Sequence, residues 1–207
     1  MAFDSRYGFS QADGSSVSSW PDRSRTTINA TRVLGTATYE TNEINGQPVV
    51  SLSAARFIHG ADNQTSCVWF VVAKVRSTQS GYRGFAAAGA NSSSGSMILS
   101  RVSTAGTWGT FIAGFERGAN TTPANGTAYI FSMEDNAASG GAFFLNGSAD
   151  GTYAGNSNGQ STKHIGGDGS QGTASDIAVV TLMPAISTAL RKRLEHAAAY
   201  SFKIACN

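Results

Sequence analysis

The stretch Val68-Trp69-Phe70-Val71-Val72-Ala73-Lys74-Val75 decides the fold class. Apart from Lys74 it is unbroken apolar sequence, β-branched and aromatic, of strand length and short for a helix. A strand with one wet face alternates apolar and polar residues, whereas a run without alternation is buried on both faces. The reading is a central strand covered on each side.

Shorter runs of the same character lie around it. They are Pro48 to Leu52, Met97 to Val102, Thr110 to Phe115, Ala128 to Met133, Ala142 to Leu145 and Ile177 to Leu182. Turn dipeptides punctuate the chain: Asp13-Gly14, Asn45-Gly46, Asn125-Gly126, Asn146-Gly147, Asp150-Gly151, Gly166-Gly167 and Asp168-Gly169. Such pairs supply the positive φ angles that tight hairpins need. Many short strands with frequent turns predict an all-β sandwich or barrel. The Gly/Ser/Asn-rich segment from Gly151 to Gly172 is interrupted by Tyr153 and His164-Ile165, so it reads as loops around a short strand. No fixed-period repeat and no second domain is marked, and residues 1–207 are expected to form one domain.

One segment departs from the β pattern. Ser187 to Tyr200 is rich in helix formers, with Ser187 or Thr188 placed to cap it. Leu190, Leu194, Ala197 and Ala198 form an apolar stripe expected to lie on the sandwich, and Arg191 and Glu195 are expected to pair on the outer face.

Composition excludes several classes. Charged residues make up only 14% and the net charge is +2, too small an excess for a nucleic-acid footprint. The run Arg191-Lys192-Arg193 reads as a solvated helix face. No window approaches a membrane-spanning length of apolar residues, so no membrane insertion is expected. The opening Met1-Ala2-Phe3-Asp4-Ser5-Arg6 lacks an apolar signal region, which sets the expectation of a protein made and kept in a cytoplasm or released by lysis. Cys67 and Cys206 are expected to be free thiols in such a compartment, and six Asn-x-Ser/Thr sequons to be unmodified.

Specific motifs then add a resemblance. Gly14 to Ser24, containing Val17-x-x-Trp20-x-Asp22-x-Ser24, is followed by Asn29-Ala30-Thr31 and by Ile44-Asn45-Gly46-Gln47-Pro48-Val49. Later come Phe143-Phe144-Leu145-Asn146-Gly147, His164-Ile165-Gly166-Gly167, and Asp176 to Leu182 leading to Ile186-Ser187 and the helix. With Val68 to Lys74 as the long core strand, their order resembles concanavalin A-like lectin/glucanase domains of the laminin G-like kind, over nearly the whole chain. The resemblance implies an all-β, two-sheet antiparallel jelly-roll sandwich with one short C-terminal helix. On residue physics alone, Trp20 is a core anchor whose indole N–H seeks a backbone partner. Asp22 and Asp176 read as carboxylates that close turns on backbone N–H groups.

Catalytic patterns are missing from the sequence. Glycoside hydrolases of this fold carry Glu-x-Asp-x-x-Glu on one strand, where alternate residues share a face. Here Glu134-Asp135 are adjacent and Glu40 and Glu43 differ by three, so both pairs diverge. His59, His164 and His196 sit in no nucleophile context and no zinc spacing exists. No enzyme activity and no cofactor is expected. The resemblance leaves calcium open, since lectins and laminin G-like domains often hold it with oxygen ligands; Asp62, Asn63, Gln64, Asp150, Asp168 and Asp176 are the candidate donors, though none forms a dense acidic loop.

Two binding functions follow. The first is a virion accessory protein of a bacteriophage, decorating the capsid or fitted to the tail, with capsid or tail proteins as partners and a homo-oligomeric state. It rests on resemblance to free-standing domains without anchor or catalytic module. The alternative is a carbohydrate-binding module that touches cell-surface glycans. Sugar sites need exposed aromatic rings with polar groups beside them. Tyr82, Arg83, Trp108 and Tyr153 are the candidate glycan contacts, although core packing is the preferred reading for Trp108.

Overall fold

A computed structural model describes residues 1–24, 28–61, 66–77, 83–88, 96–101, 106–112, 115–136, 139–155, 162–166 and 173–207. Its strands are β1 (Ala2–Asp4), β2 (Ser15–Ser16), β3 (Ser19–Trp20), β4 (Ala30–Ile44), β5 (Gln47–Ala61), β6 (Ser66–Val75), β7 (Arg83–Ala88) and β8 (Ser96–Arg101). They continue with β9 (Gly109–Ile112), β10 (Phe115–Gly118), β11 (Ala128–Asn136), β12 (Gly141–Leu145), β13 (Ser148–Tyr153), β14 (Thr162–Ile165) and β15 (Ala174–Pro184), and the helix α1 (Thr188–Phe202) closes the series.

All pairings are antiparallel, and one hydrogen-bonded path runs β10-β9-β8-β7-β14-β5-β15-β6-β11-β12-β13. The path is folded over into two layers. Strand β5 carries it from one to the other: Val50 to Ser53 pair with β15, and Phe57 to Ala61 pair with β14. Cross-layer ring contacts show the closure. Phe85 of β7 meets Phe131 of β11 at 4.8 Å, and Trp108, just before β9, meets Phe143 of β12 at 5.2 Å. The jelly-roll sandwich with a C-terminal helix is therefore the observed architecture.

Strand β6 sits in the middle of its layer, between β15 and β11. Cys67, Trp69, Val71, Ala73 and Val75 enter the core between the layers, while Phe70 and Val72 enter a second core with Ala198, Ala199 and Phe202 of α1. This is why the run lacks alternation: one face meets the other layer and the opposite face meets the helix.

The helix docks only partly in the expected phase: of the apolar stripe, Ala198 is buried and Leu194 packs against the second core. Ser187 caps it, its hydroxyl accepting from the Leu190 N–H at 3.3 Å. The C-terminal end closes with Lys203 in the left-handed region and the Ile204 N–H donating to the Ala199 carbonyl at 3.0 Å. Yet Leu190 is 44% exposed, and the residues turned inward are Arg191, Glu195, Ala198, Ala199 and Phe202. The Arg191 guanidinium donates to both Glu195 carboxylate oxygens at 2.6 Å and to Glu134 of β11 at 2.9 Å, and it lies 3.4 Å from the Phe144 ring centroid. A fully answered charge, spread over an aromatic face, can occupy a buried position that an isolated charge cannot. The pair expected on the solvent face is thus the inner contact of the helix, and the Arg191-Lys192-Arg193 run is solvated only in part.

Other expectations are refined. Trp20 is fully buried against Phe3, Phe9 and Phe57, but its indole N–H has no hydrogen-bond partner among the described residues. Asp22 accepts from the backbone N–H groups of Ala2 and Ser24 as expected, and also contacts the imidazole of His59 at 3.0 Å. Asp176 closes no turn. It lies inside β15, accepts from the Ser51 hydroxyl at 2.8 Å and pairs with Lys74 and Arg76. Asp150-Gly151 is likewise inside β13 rather than a turn.

Where β5 changes layers, Ala54 has φ +49° and faces Gly35, φ +66°, whose missing side chain leaves room for the Ala54 carbonyl. Left-handed backbone costs a non-glycine residue about 1–2 kcal/mol, and glycine returns about 0.5–1 kcal/mol of that as chain entropy. Ala54→Gly is expected to stabilise the fold by about 0.5–1 kcal/mol, seen as a higher urea midpoint. A lower midpoint would show that Ala54 carries no such strain.

Candidate functional site

The sugar-contact candidates lead to the open edge of the sandwich, where β10 ends one layer and β13 ends the other. Two of the proposed contact rings are core residues there. Trp108 is fully buried, and its indole N–H donates to Asp150 at 2.6 Å. The Thr121 hydroxyl donates to the other oxygen of the same carboxylate at 2.6 Å. The Trp108 ring stands edge-on to Phe131 and Phe143. Tyr153 is 8% exposed and packs on Phe143 with centroids 5.1 Å apart. Its hydroxyl is held well above its ordinary pKa by burial, then by the charge of nearby Asp135. Neither ring can stack on a sugar, because packing already occupies its faces. Arg83 opens β7 opposite Arg101, at the end of the layer away from Phe115. Tyr82 lies outside the described residues.

Among the described residues of this edge, Phe115 is exposed and Arg117 half-buried. They are alternate residues of β10 and so share one face of the strand. Phe115 is 61% exposed, and the Arg117 guanidinium lies 5.3 Å from its ring centroid. Arg117 is anchored to the other layer: its Nε donates to the carbonyl of Ala154, just after β13, at 3.1 Å, and Nη1 donates to the Glu116 carbonyl. Nη2 makes no hydrogen bond among the described residues and remains as a donor. The edge therefore presents a flat apolar ring beside a fixed planar donor. A period-two Phe-x-Arg in the sequence was the available signal, but Phe115 reads there as the last apolar residue of a strand.

The interior carboxylates are held in separate structural contacts. Glu134 and Asp135 point to opposite faces of β11, Glu134 to Arg191 and Asp135 inward beside Cys67 and Tyr153. Ser24 and His59 both contact the Asp22 carboxylate, so the carboxylate stands at the centre of that set. Of the calcium candidates, Asp150 and Asp176 are occupied by protein donors, while Asp62, Asn63, Gln64 and Asp168 lie outside the described residues. Among the described residues no group of three or more His, Cys, Asp or Glu side chains is placed to hold a metal ion.

Cys67 and Cys206 are free thiols. Burial pushes the Cys67 thiol up to about 12, with the Asp135 charge adding to the effect and Lys163 opposing it. Cys206 is only half-buried. At pH 8 a thiol reagent is expected to modify Cys206 in the native protein and Cys67 only after denaturation, because the thiolate is the reactive form. Two rapid equivalents without denaturant would contradict this placement.

No protein-family model and no curated protein matches the sequence. Solved structures do match the fold. Domain 4 of a GH43 extracellular arabinanase from Geobacillus stearothermophilus, determined in complex with arabinotriose, superimposes with a TM-score of 0.68 at 8% identity, over 89% of this chain and 100% of that domain. Trypanosoma rangeli sialidase matches with a TM-score of 0.60 at 12% identity, over 94% of this chain and 32% of that one. The binding domain of botulinum neurotoxin serotype D gives 0.58 at 10% identity, over 95% of this chain and 51% of that one. The chain thus spans about a third of the sialidase, half of the toxin domain and all of the arabinanase domain. At these identities the likeness establishes the β-sandwich fold.

Proposed function

We propose that the chain is a non-catalytic carbohydrate-binding module that holds an oligosaccharide on the edge between β10 and β13. The observation that carries the reading is the exposed Phe115 ring with the Arg117 guanidinium fixed 5.3 Å from its centroid. The apolar C–H face of a pyranose or furanose stacks on the ring, and the free Nη2 donates to ring hydroxyls. The likeness to a domain solved with arabinotriose, matched over its full length, supports the ligand class. The dispersal of Asp22, Glu134, Asp135, Asp150 and Asp176 into separate structural contacts supports a binding rather than a hydrolytic role.

This reading takes precedence over the virion accessory role, since the fold's neighbours favour carbohydrate and none of those above is a virion protein. The test is a screen of the full chain against immobilised oligosaccharides, including arabino-oligosaccharides and sialylated glycans. Binding to at least one with Kd of about 0.1–1 mM or tighter, equivalent to roughly −4 to −5.5 kcal/mol, is expected. No binding across the screen would overturn the proposal and return the virion reading to first place.

A further inference from the structure

We infer that a second, separate site for a neutral monosaccharide-sized polyol lies in the groove between the two Asn-Gly hairpins and the C-terminal end of α1. It shares the ligand class of the proposed function but none of its residues. The groove encloses about 400 Å³, within the size range of small-ligand sites. Its walls come from the β4–β5 turn, the β12–β13 turn, the turn entering β11 and the chain that follows the helix. Asn45 and Asn146 have φ near +50° and are each followed by a glycine at φ above +80°, so both hairpins are tight and bring their amides to the same groove.

Each amide uses one end structurally and leaves the other end available. Asn45 Nδ2 donates to the Phe202 carbonyl at 2.9 Å, leaving Oδ1 as an acceptor. Asn146 Oδ1 accepts from the Ile130 N–H at 2.8 Å, leaving Nδ2 as a donor. The Tyr129 hydroxyl accepts from the Ala124 N–H at 3.2 Å and keeps its proton for donation. Glu43 gives Oε2 to Lys74 at 2.7 Å, which leaves Oε1 as an acceptor. The groove thus combines spare donors and acceptors on rigid turns with the Tyr129 ring and apolar Ala128 and Ile204. That alternation matches adjacent hydroxyls on a sugar ring, each of which donates and accepts.

Charge selects a neutral ligand. The Lys74 ammonium is answered by Glu43 and by buried Asp176 at 3.1 Å. Burial lowers its pKa, but the bonds to Glu43 and Asp176 outweigh this and hold it above the ordinary value, so it stays charged and paired. Among the described residues no buried charge in the wall is left unpaired, and the Lys203 ammonium, the other cation of the wall, is exposed and stays hydrated.

The experiment is a ¹H–¹⁵N NMR titration of the full chain with galactose, glucose, arabinose, N-acetylglucosamine and, as a charged control, glucosamine. Each is used at about 50 mM, enough to fill a site of millimolar Kd. The amides of Gly126, Thr127 and Ile204 are expected to shift in a saturable manner with at least one neutral sugar. Thr127→Trp fills the groove from an exposed position and is expected to abolish those shifts, with a dispersed spectrum reporting that the fold is intact. Glu43→Gln, which loses the charged acceptor, is expected to weaken binding about tenfold and carries the test if Thr127→Trp fails to fold. Phe115→Ala is expected to leave the groove shifts unchanged. Silence of these amides with every neutral sugar, persistence of the shifts in Thr127→Trp, or a response to glucosamine alone would overturn the assignment. Groove shifts without any oligosaccharide binding at Phe115 would uphold this site and remove the proposed one.

Discussion

Arg191→Ala is expected to destabilise the protein by about 3–5 kcal/mol, the range for breaking one partner out of a buried ion pair. Glu195 is fully buried, and in the wild type both of its oxygens accept from the Arg191 guanidinium. Without Arg191 that carboxylate must either stay charged in a dry site or take up a proton on folding. Glu134 loses its partner as well, but it is partly exposed and water can replace the contact. The Phe144 ring loses a cation stacked at 3.4 Å. Against a typical total stability of about 5–15 kcal/mol, the loss would leave the variant marginal at room temperature. The double variant Arg191→Met with Glu195→Leu removes both buried charges and fills similar volume, so it is expected to recover most of the loss or exceed the wild type. Equilibrium urea denaturation of the three proteins measures this. A single-variant cost below about 1 kcal/mol would show that the helix is not held through this pair.

Phe115→Ala is expected to reduce oligosaccharide affinity at least tenfold, about 1.4 kcal/mol, without changing stability. Aromatic anchors dominate small binding surfaces, and truncation of such an anchor commonly costs more than 1 kcal/mol. Because the ring is 61% exposed, its removal from the free protein costs little packing, and the denaturation midpoint is expected to stay within about 0.5 kcal/mol of wild type. Arg117→Lys keeps the charge but loses the planar fork, including the Nε bond to Ala154. It is expected to weaken binding by a smaller factor than Phe115→Ala. Equal affinity for wild type and Phe115→Ala would place the ligand elsewhere on the chain.

How much of this was readable from sequence depends on which faces a residue meets. Strands β6 and β15 were legible because burial on two sides leaves an apolar run. Strand β4 was not, because most of its length is wet and only residues such as Ala30, Ala37, Tyr39 and Ile44 enter a core. Strand β7 escaped notice because Ala86 to Ala88 carry little strand signal alone; Phe85 and cross-layer packing give them their place. Asp150-Gly151 looked like a turn because local sequence does not reveal that Trp108 and Thr121 satisfy the carboxylate from 42 and 29 residues away. The helix was legible, but its inward face only in part, through Leu194 and Ala198. An apolar stripe is the usual guide, and here a charge pair completed by Glu134, 57 residues distant, outweighs it.

The site followed the same rule. Aromatics beside Gly- and Ser-rich segments led, through Trp108 and Tyr153, to the edge of the sandwich proposed above as the site. Which rings face water could not be read there, because that depends on the opposite layer. Phe143 covers both of those rings, and Phe115 on the outermost strand is left open.

The most direct measurement is an NMR titration of the ¹⁵N-labelled full chain with the best oligosaccharide from the screen, reading which backbone amides move. Carbohydrate binding at the β10–β13 edge requires saturable shifts centred on Phe115 to Arg117 and on Tyr153 to Gly155, lost in Phe115→Ala. Shifts confined to other surfaces, or none at saturating ligand, would contradict it.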